Sequence, residues 1–427
     1  RGFPNHARAL TYLVRVFNAH GPDLDTIKAV GHRTVHGGDK FRAPVVIDDQ
    51  VIEDLREISP LAPLHNPPGI AGIEAAREAL PDVPHVAIFD TAFFATLPPE
   101  AYTYAVPSDL AKNHHVRKYG FHGTSHSYVS KRVAEFLGRD YSELKQIVCH
   151  LGNGASVSAI DRGVAVDTSM GLTPLAGLVM GTRSGDVDPG LHAFLGRELG
   201  MSLGEVDNLL NKKSGMLGLC GVTDFRDIND LIAEGNADAK LALDVYVHRL
   251  LSYIGSYIAV LGGVDAITFT AGVGENDPVV RAKIVNRLGF IGATLDEAAN
   301  DVRSGQARAI STADSKVAVL VVPTVAVAVP WLTELQRLLT ERDRSHLELE
   351  QHVRELSESF LALAGGNYEV RAKRSGNGDA IDVLSFLFNN TAEEIGDAVA
   401  EMERRRSVLE AILESMIDGV LLLDTQG

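Results

Sequence analysis

The sequence predicts an α/β protein of two domains followed by a helical tail, and three patterns carry that reading. Short β-branched runs bounded by Gly, Asn, Asp and Pro alternate with helical stretches from Arg1 to about Pro323. The 427 residues suffice for two or three cores, since single domains run to about 100–200 residues. Past Pro330 the alternation stops, and apolar residues recur at alternating steps of three and four.

Taken in order, strands are predicted at Val45-Val46-Ile47, at His85-Val86-Ala87-Ile88-Phe89, over Gln146 to Leu151, and over Ala266 to Thr270. Helices are predicted over 54–58, 69–79, 125–137 and 239–260. Gly152-Asn153-Gly154 lies between two apolar runs and reads as the turn of a β-hairpin. In the tail, Leu332, Leu335, Leu339, Leu349, Val353, Leu356 and Phe360 form one heptad seam, with Arg342 and His346 in two slots. A Gly-rich break (Gly365-Gly366, then Ser375-Gly376-Asn377-Gly378) precedes a second seam through Ile395, Val399, Met402, Leu409, Leu413 and Met416, with Arg406 in one slot. Each seam alone reads as an amphipathic helix packed on a domain; in series they read as a signalling or dimerisation module.

Composition narrows the function. With 45% apolar and 22% charged residues, the chain is of the ordinary soluble type. A net charge of −16 argues against nucleic acid or an anionic membrane as partner. Cys149 and Cys220 have no metal-type spacing, which suits a reducing cytoplasm and no structural disulfide. No signal peptide is visible. The most apolar stretch, Val317 to Leu332, is broken by Pro323 and Pro330 and falls short of the ~20 residues that span a bilayer. A soluble, cytoplasmic protein is expected.

Polar clusters in Gly-rich settings then point to anion chemistry. Gly31 to Gly38 holds Arg33 with His32 and His36, and His65 precedes a helix in Leu64-His65-Asn66-Pro67-Pro68. Asp90 ends a strand, and Tyr119 to His126 leads into a helix carrying His122. Arg183 sits among small residues in the loop Gly181 to Gly190, and Gly272 to Asn276 follows a strand. Glycines at such places let backbone N–H groups approach phosphate oxygens, and arginine forks onto a phosphoryl or carboxylate group. A nearby carboxylate can hold Mg²⁺. Arg33, Arg183 and Asp90 together suit phosphoryl transfer, where positioning and charge neutralisation do most of the work. The His32/His36 and His122/His126 spacings also admit a zinc reading, weakened by the Gly and β-branched residues that spoil the required helix. No Walker A sequence occurs.

The strings HRTVHGG, LAPLHNPP, FDTAF, RKYGFHGTSH, HLGNGAS, DTSMGLTPLAGLVMGTRSGDVDPG, SGMLGLCGVTDFRD and FTAGVGEN, in this order over residues 6–324, closely resemble the acetate kinase family. The resemblance implies two related actin/hexokinase-like (ribonuclease-H-like) α/β domains around a nucleotide cleft. It implies reversible transfer of the γ-phosphoryl group of ATP to acetate, giving ADP and acetyl phosphate, with Mg²⁺. By motif, Arg33 and Arg183 would bracket the carboxylate and the moving phosphoryl group. His122 would stabilise the transition state, and Asp90 would assist metal or substrate positioning. Val35, Leu64, Phe121 and Pro174 would form the pocket for the acetate methyl. His150, Leu151, Gly152, Asn153 and Gly154 would form a phosphate loop. Asp224, Phe225 and Arg226 would hold adenosine together with Gly272, Val273, Gly274, Glu275 and Asn276. His65 and His126 would either brace loops or act directly.

Three departures bear on activity. The family opens with a phosphate-gripping strand–turn–strand that this sequence lacks, so the first sheet is expected to be incomplete, with an unpaired edge. Phe94 stands where FDTAF normally continues with His. Val325, Ala326 and Val327 replace the acidic residues after Pro323-Thr324, one of which serves Mg²⁺ in the family. In the tail, Leu361 to Arg371 and Phe388 to Glu394 resemble the HAMP-like linker of bacterial sensor histidine kinases, and Asp418 to Asp424 is similar to the opening strand of a PAS domain. The expected domains are therefore 1–144, 145–324, a helical linker over 325–407, and a signalling helix with the start of a PAS-like domain over 408–427. Acetate or propionate and ATP or ADP are the expected partners, in a homodimer. The competing readings are a propionate kinase and a non-catalytic signalling or dimerisation protein with a degenerate kinase domain.

Overall fold

In the computed structural model of the protein the described residues are 27–63, 65–324 and, as backbone, 420–424. They divide into two compact units: 27–92 with 304–306 and 420–424, and 93–303 with 307–324.

The first unit is a four-stranded sheet under two helices. Its strands are β1 (Ile27–Thr34), β2 (Val45–Val46), β3 (His85–Phe89) and the last strand of the chain, β10 (Val420–Asp424), in the order β10-β1-β3-β2. The connection from β2 to β3 runs through α1 (Asp49–Ile58) and α2 (Asn66–Ala79). Asp48 starts α1 by accepting from the Val51 N–H at 2.8 Å. Pro67 and Pro68 occupy the first turn of α2, where a missing N–H costs nothing. Leu55, Ile58, Ile70 and Ile73 pack from these helices onto Ala87 and Phe89, and Phe41 stacks on Phe89 at 4.7 Å. The outer side of β1 is covered, so the outer strands of this sheet are β10 and β2. β1 runs parallel to β3 on one side, and β10 lies antiparallel along the other, from Ile27 opposite Asp424 to His32 opposite Val420.

The second unit is built on a six-stranded sheet of order β6-β5-β4-β7-β9-β8. These strands are β4 (Lys145–Leu151), β5 (Ala155–Asp161), β6 (Val164–Thr168), β7 (Ala266–Thr270), β8 (Arg308–Ala309) and β9 (Ala318–Val321). The hairpin predicted at Gly152-Asn153-Gly154 joins β4 to β5, with His150 opposite Ser156 and Val148 opposite Ser158. The helices are α3 (Pro99–Tyr102), α4 (Ser108–Asn113), α5 (Gly123–Leu137), α6 (Gly190–Leu199), α7 (Leu203–Lys212), α8 (Gly215–Cys220), α9 (Phe225–Ala233), α10 (Ala237–Leu261), α11 (Ala271–Asn276), α12 (Pro278–Val285) and α13 (Glu297–Asp301).

Val129 and Val133 of α5 pack on Val148, Ile160, Ala266 and Leu320 of the sheet. Adjacent strand residues face opposite ways, and the next residue, Cys149, lies near Tyr246 of α10. Helices therefore cover both faces, and His150, Ser156 and Ser158 share the α5 face. This packing moves a boundary. Residues 93–144, assigned from sequence to the first domain, belong with the second sheet, and the division falls at Ala92/Phe93.

Among the described residues, no helix is long and apolar enough to cross a membrane, and both cysteines are free. Burial pushes the Cys149 thiol up, which makes it inert. The tail seams and the HAMP-like strings lie outside the described residues; of the PAS-like string only 420–424 are described, as the strand paired with β1.

Candidate active site

In the first unit, parallel pairing of β1 with β3 sets Thr34 beside Phe89, so the residues around the two C-terminal strand ends become neighbours. Arg33 Nε donates to Asp90 Oδ1 at 3.0 Å, and Arg33 Nη2 donates to Asp90 Oδ2 at 2.6 Å. The Asp90 side chain is 2% exposed, whereas Arg33 keeps 17% exposure and remains reachable. The loop after β1 is held by side chains: the Asn66 amide exchanges two hydrogen bonds with the His36 backbone, and the Gly37 N–H donates to Thr91 Oγ1. Val35 is half-buried there, and Leu64 lies outside the described residues. His32 is buried against His85, with ring nitrogens 2.9 Å apart, and burial lowers its pKa to about 3. It is a core histidine that engages His85, and no third ligand joins it among the described residues, which argues against the zinc reading for this pair.

In the second unit the hairpin turn is the focus. A Cβ built on Gly154 would lie 3.4 Å from Arg183 Nη1 and 3.5 Å from both Cε1 and Nε2 of His122. A guanidinium and an imidazole thus converge over a residue with no side chain. Arg183 is steered by its own loop, with Nη1 donating to the Pro174 carbonyl at 3.1 Å. The loop is clasped to the turn because the Gly181 N–H donates to the Asn153 carbonyl at 3.0 Å. A side chain at Gly181 would collide with Asn153, since its Cβ would lie 1.9 Å from Oδ1. His122 has a left-handed backbone (φ 59°) at the start of α5, and its ring stacks on His150 at 4.3 Å. Phe121 beside it is buried.

The remaining candidates sit in supporting positions. Asp224 caps α9 through the Arg226 N–H and pairs with the Arg226 guanidinium; Phe225 packs edge-on against Tyr246 at 4.8 Å. Phe225 therefore has a core role. Glu275 is half-buried, and its Oε1 accepts from the N–H groups of Ala271 and Thr324, both at 2.8 Å. Burial pushes this carboxyl up. The backbone carbonyls of Gly274 and Glu275 are gripped by Arg281, and Asn276 closes the segment onto the Gly272 carbonyl. Val273 lies in the same short helix.

Several serines were not singled out as site residues, although Ser125 and Ser156 lie inside the strings RKYGFHGTSH and HLGNGAS. Ser125 Oγ meets His150 Nδ1 at 2.8 Å and Thr324 Oγ1 at 3.3 Å. Ser156 Oγ meets both His122 and His126, and Ser158 Oγ meets His126. Only the alternation of β5 and the four-residue spacing of α5 could have pointed to them. His126 is fully buried, so it braces the site from behind. Phe94, at the position expected to hold His, packs edge-on against His126 at 5.6 Å.

No group of three His, Cys, Asp or Glu residues able to hold a metal occurs among the described residues. Asp90, the candidate metal ligand, engages Arg33 with both oxygens. The described donor set does not fit a protein-held metal, and no step below passes through one.

An arginine and an imidazole converging on an open glycine turn at the edge of an α/β sheet define a phosphotransferase-type anion site. Residues 2–328 match the Acetokinase family, and the chain belongs to it. It is 55% identical over 323 residues to the acetate kinase of Leifsonia xyli subsp. xyli, covering 75% of this chain and 81% of that one. It is 58% identical over 307 residues to the acetate kinase of Corynebacterium jeikeium, covering 71% and 76%. The crystal structure of Porphyromonas gingivalis acetate kinase superposes with a TM-score of 0.75 at 45% identity, covering 79% of this chain and 86% of that one. A propionate kinase from Francisella tularensis superposes with a TM-score of 0.72 at 41% identity, covering 77% and 83%. The chain is accordingly a kinase with the two-domain α/β fold of acetate kinases.

Proposed function

We infer that the chain transfers the γ-phosphoryl group of ATP reversibly to acetate, giving ADP and acetyl phosphate. The observation that carries this reading is the convergence of Arg183 Nη1 and His122 Nε2 over Gly154. An acetate oxygen attacks the γ-phosphorus, and the bond to the ADP oxygen breaks. Arg183 and His122 donate to the phosphoryl oxygens as charge shifts among them. Arg33, oriented by Asp90, holds the acetate carboxylate. The turn His150 to Gly154 holds nucleotide phosphates, and Asp224, Arg226 and Gly272 to Asn276 hold the nucleoside. A divalent ion, Mg²⁺, would enter on the nucleotide phosphates, which commonly supply most of its non-water ligands.

Trapping acetyl phosphate as its hydroxamate tests the reading. Product from ATP and acetate should form slowly, because Val325, Ala326 and Val327 stand where acidic residues are expected. It should disappear in Arg183→Ala; product formation unaffected by that change would sink the assignment. Propionate is a second substrate reading, favoured by the likeness to the Francisella propionate kinase. One methylene changes discrimination by only ~1–3 kcal/mol, so competition between the two acids decides it. For the tail, a sensor-type helical module is the proposed role, acting with the kinase part in a cytoplasmic homodimer. Sedimentation of the full chain against a Leu349→Glu, Leu356→Glu version, which keeps residues 420–427 in place, should show self-association lost with the seam.

A further inference from the structure

We propose that His126 is a positioning residue: held between Ser156 and Ser158, it fixes His122 as the tautomer with its proton on Nε2. The phosphoryl-transfer reading supplies the use made of that proton; the tautomer itself follows from the hydrogen-bond chain alone.

Four side chains zip α5 to β5. Ser158 Oγ lies 2.7 Å from His126 Nδ1, and His126 Nε2 lies 2.7 Å from Ser156 Oγ. Ser156 Oγ lies in turn 2.8 Å from His122 Nδ1. The geometry follows from two periodicities. Residues four apart share a helix face, residues two apart share a strand face, and the two faces meet here. All but His122 are fully buried, so the chain's protons are confined to it. Burial, reinforced by His150, lowers the His126 pKa well below the ordinary value and keeps the ring neutral.

Each contact needs one proton, each hydroxyl has one to give, and a neutral imidazole donates from one nitrogen and accepts at the other. Three senses satisfy all three contacts, because a hydroxyl oxygen can accept twice; one has His126 Nε2–H and His122 Nδ1–H both donating to Ser156 and strands the buried Ser156 proton, which leaves two to weigh. In the first, Ser158 donates to His126 Nδ1, His126 Nε2–H donates to Ser156, and Ser156 donates to His122 Nδ1. His122 then carries its own proton on Nε2, the nitrogen that meets Arg183 over Gly154. In the reverse sense His122 donates from Nδ1 and every proton shifts back, leaving the Ser158 O–H pointing at nothing. No second acceptor for it occurs among the described residues. A buried donor without a partner is the costly arrangement, so the first sense prevails. The outcome is a ring that presents N–H, and not a lone pair, to a phosphoryl oxygen. A hydroxyl two residues along the strand from Ser156 sets this direction without touching His122.

The test uses the full chain labelled with ring-¹⁵N histidine, with His122→Gln serving only to assign the His122 signals. At neutral pH the His122 nitrogens should show the neutral tautomer protonated at Nε2. Ser158→Ala removes the donor that sets the direction. His122 should then shift toward a mixture of both tautomers, whatever stability is lost with the hydroxyl. A purely structural role for the zip would lower stability in that variant but leave the His122 nitrogen shifts where they were. Ser156→Ala should give the same mixing and decides the matter if Ser158→Ala does not fold. A wild-type His122 protonated at Nδ1 or on both nitrogens overturns the proposal, as do unchanged His122 signals in the variants. These readouts need no substrate, so failure to form acetyl phosphate would leave the positioning role standing.

Discussion

Arg33 and Asp90 are joined by two hydrogen bonds from one guanidinium edge, Nε to Oδ1 at 3.0 Å and Nη2 to Oδ2 at 2.6 Å. The pair sits where β1 and β3 end side by side, and the carboxylate is nearly sealed from water while the arginine is not. Such a fork fixes the plane of the guanidinium. Asp90→Asn keeps the shape and removes the charge, so acetyl phosphate formation should fall ~10²-fold with little change in fold. Arg33→Ala should cost stability as well, by ~3 kcal/mol in a denaturant titration, because a buried carboxylate loses its cation.

The open space at the hairpin turn can be filled directly. Gly154→Ala places a methyl group 3.4 Å from Arg183 Nη1 and 3.5 Å from His122 Nε2, in ordinary contact with both. The fold should tolerate it. Nucleotide affinity by calorimetry should drop at least ~10-fold, since the methyl group occupies the place proposed for a phosphoryl oxygen. Unchanged affinity would remove the turn from the site.

His32 makes the first unit sensitive to acid. Its folded pKa is depressed to about 3 from 6.5 by burial and by His85, so below 6.5 the unfolded chain binds a proton that the folded chain refuses. Stability is therefore full above pH 6.5 and falls as pH drops toward 3, with a limiting slope of ~1.4 kcal/mol per pH unit from this group. His32→Leu should flatten that part of the curve, measured by denaturant midpoints at stepped pH.

Glu275 acts as a clasp between the start of α11 and Thr324. With Oε1 accepting from two backbone N–H groups at 2.8 Å, Glu275→Ala leaves both donors without that partner. A loss of ~2 kcal/mol is expected. Amide exchange at Ala271 and Thr324 should quicken first, and equal protection before and after the change would count against the clasp.

β10 covers the outer edge of β1 over the pairs from Ile27–Asp424 to His32–Val420. Removing residues 420–427 should expose a row of backbone donors and acceptors that recruits other chains. Light scattering should show aggregation in that truncation and not in the full chain.

Much of this protein was legible from local pattern. The β-branched run His85 to Phe89 became β3, the Gly-Asn-Gly turn became the β4–β5 hairpin, and the 125–137 stretch became the body of α5. Arg33, His122 and Arg183 stood out because each lies in a Gly-rich string, and Asp90 because it ends an apolar strand run. Period and turn chemistry are properties of a few neighbouring residues, so they can be read before folding. What only the tertiary structure decided are the pairings between distant parts of the chain. Residues 93–144 joined the second sheet because Val129 and Val133 found Val148 and Leu320. Phe225 turned inward to Tyr246, and β10 closed an edge that the sequence left open. Ser156 and Ser158 are ordinary strand serines until a helix face carrying His122 and His126 is laid across them. A hydroxyl acquires a role only from the group that it meets, and that meeting is made by packing.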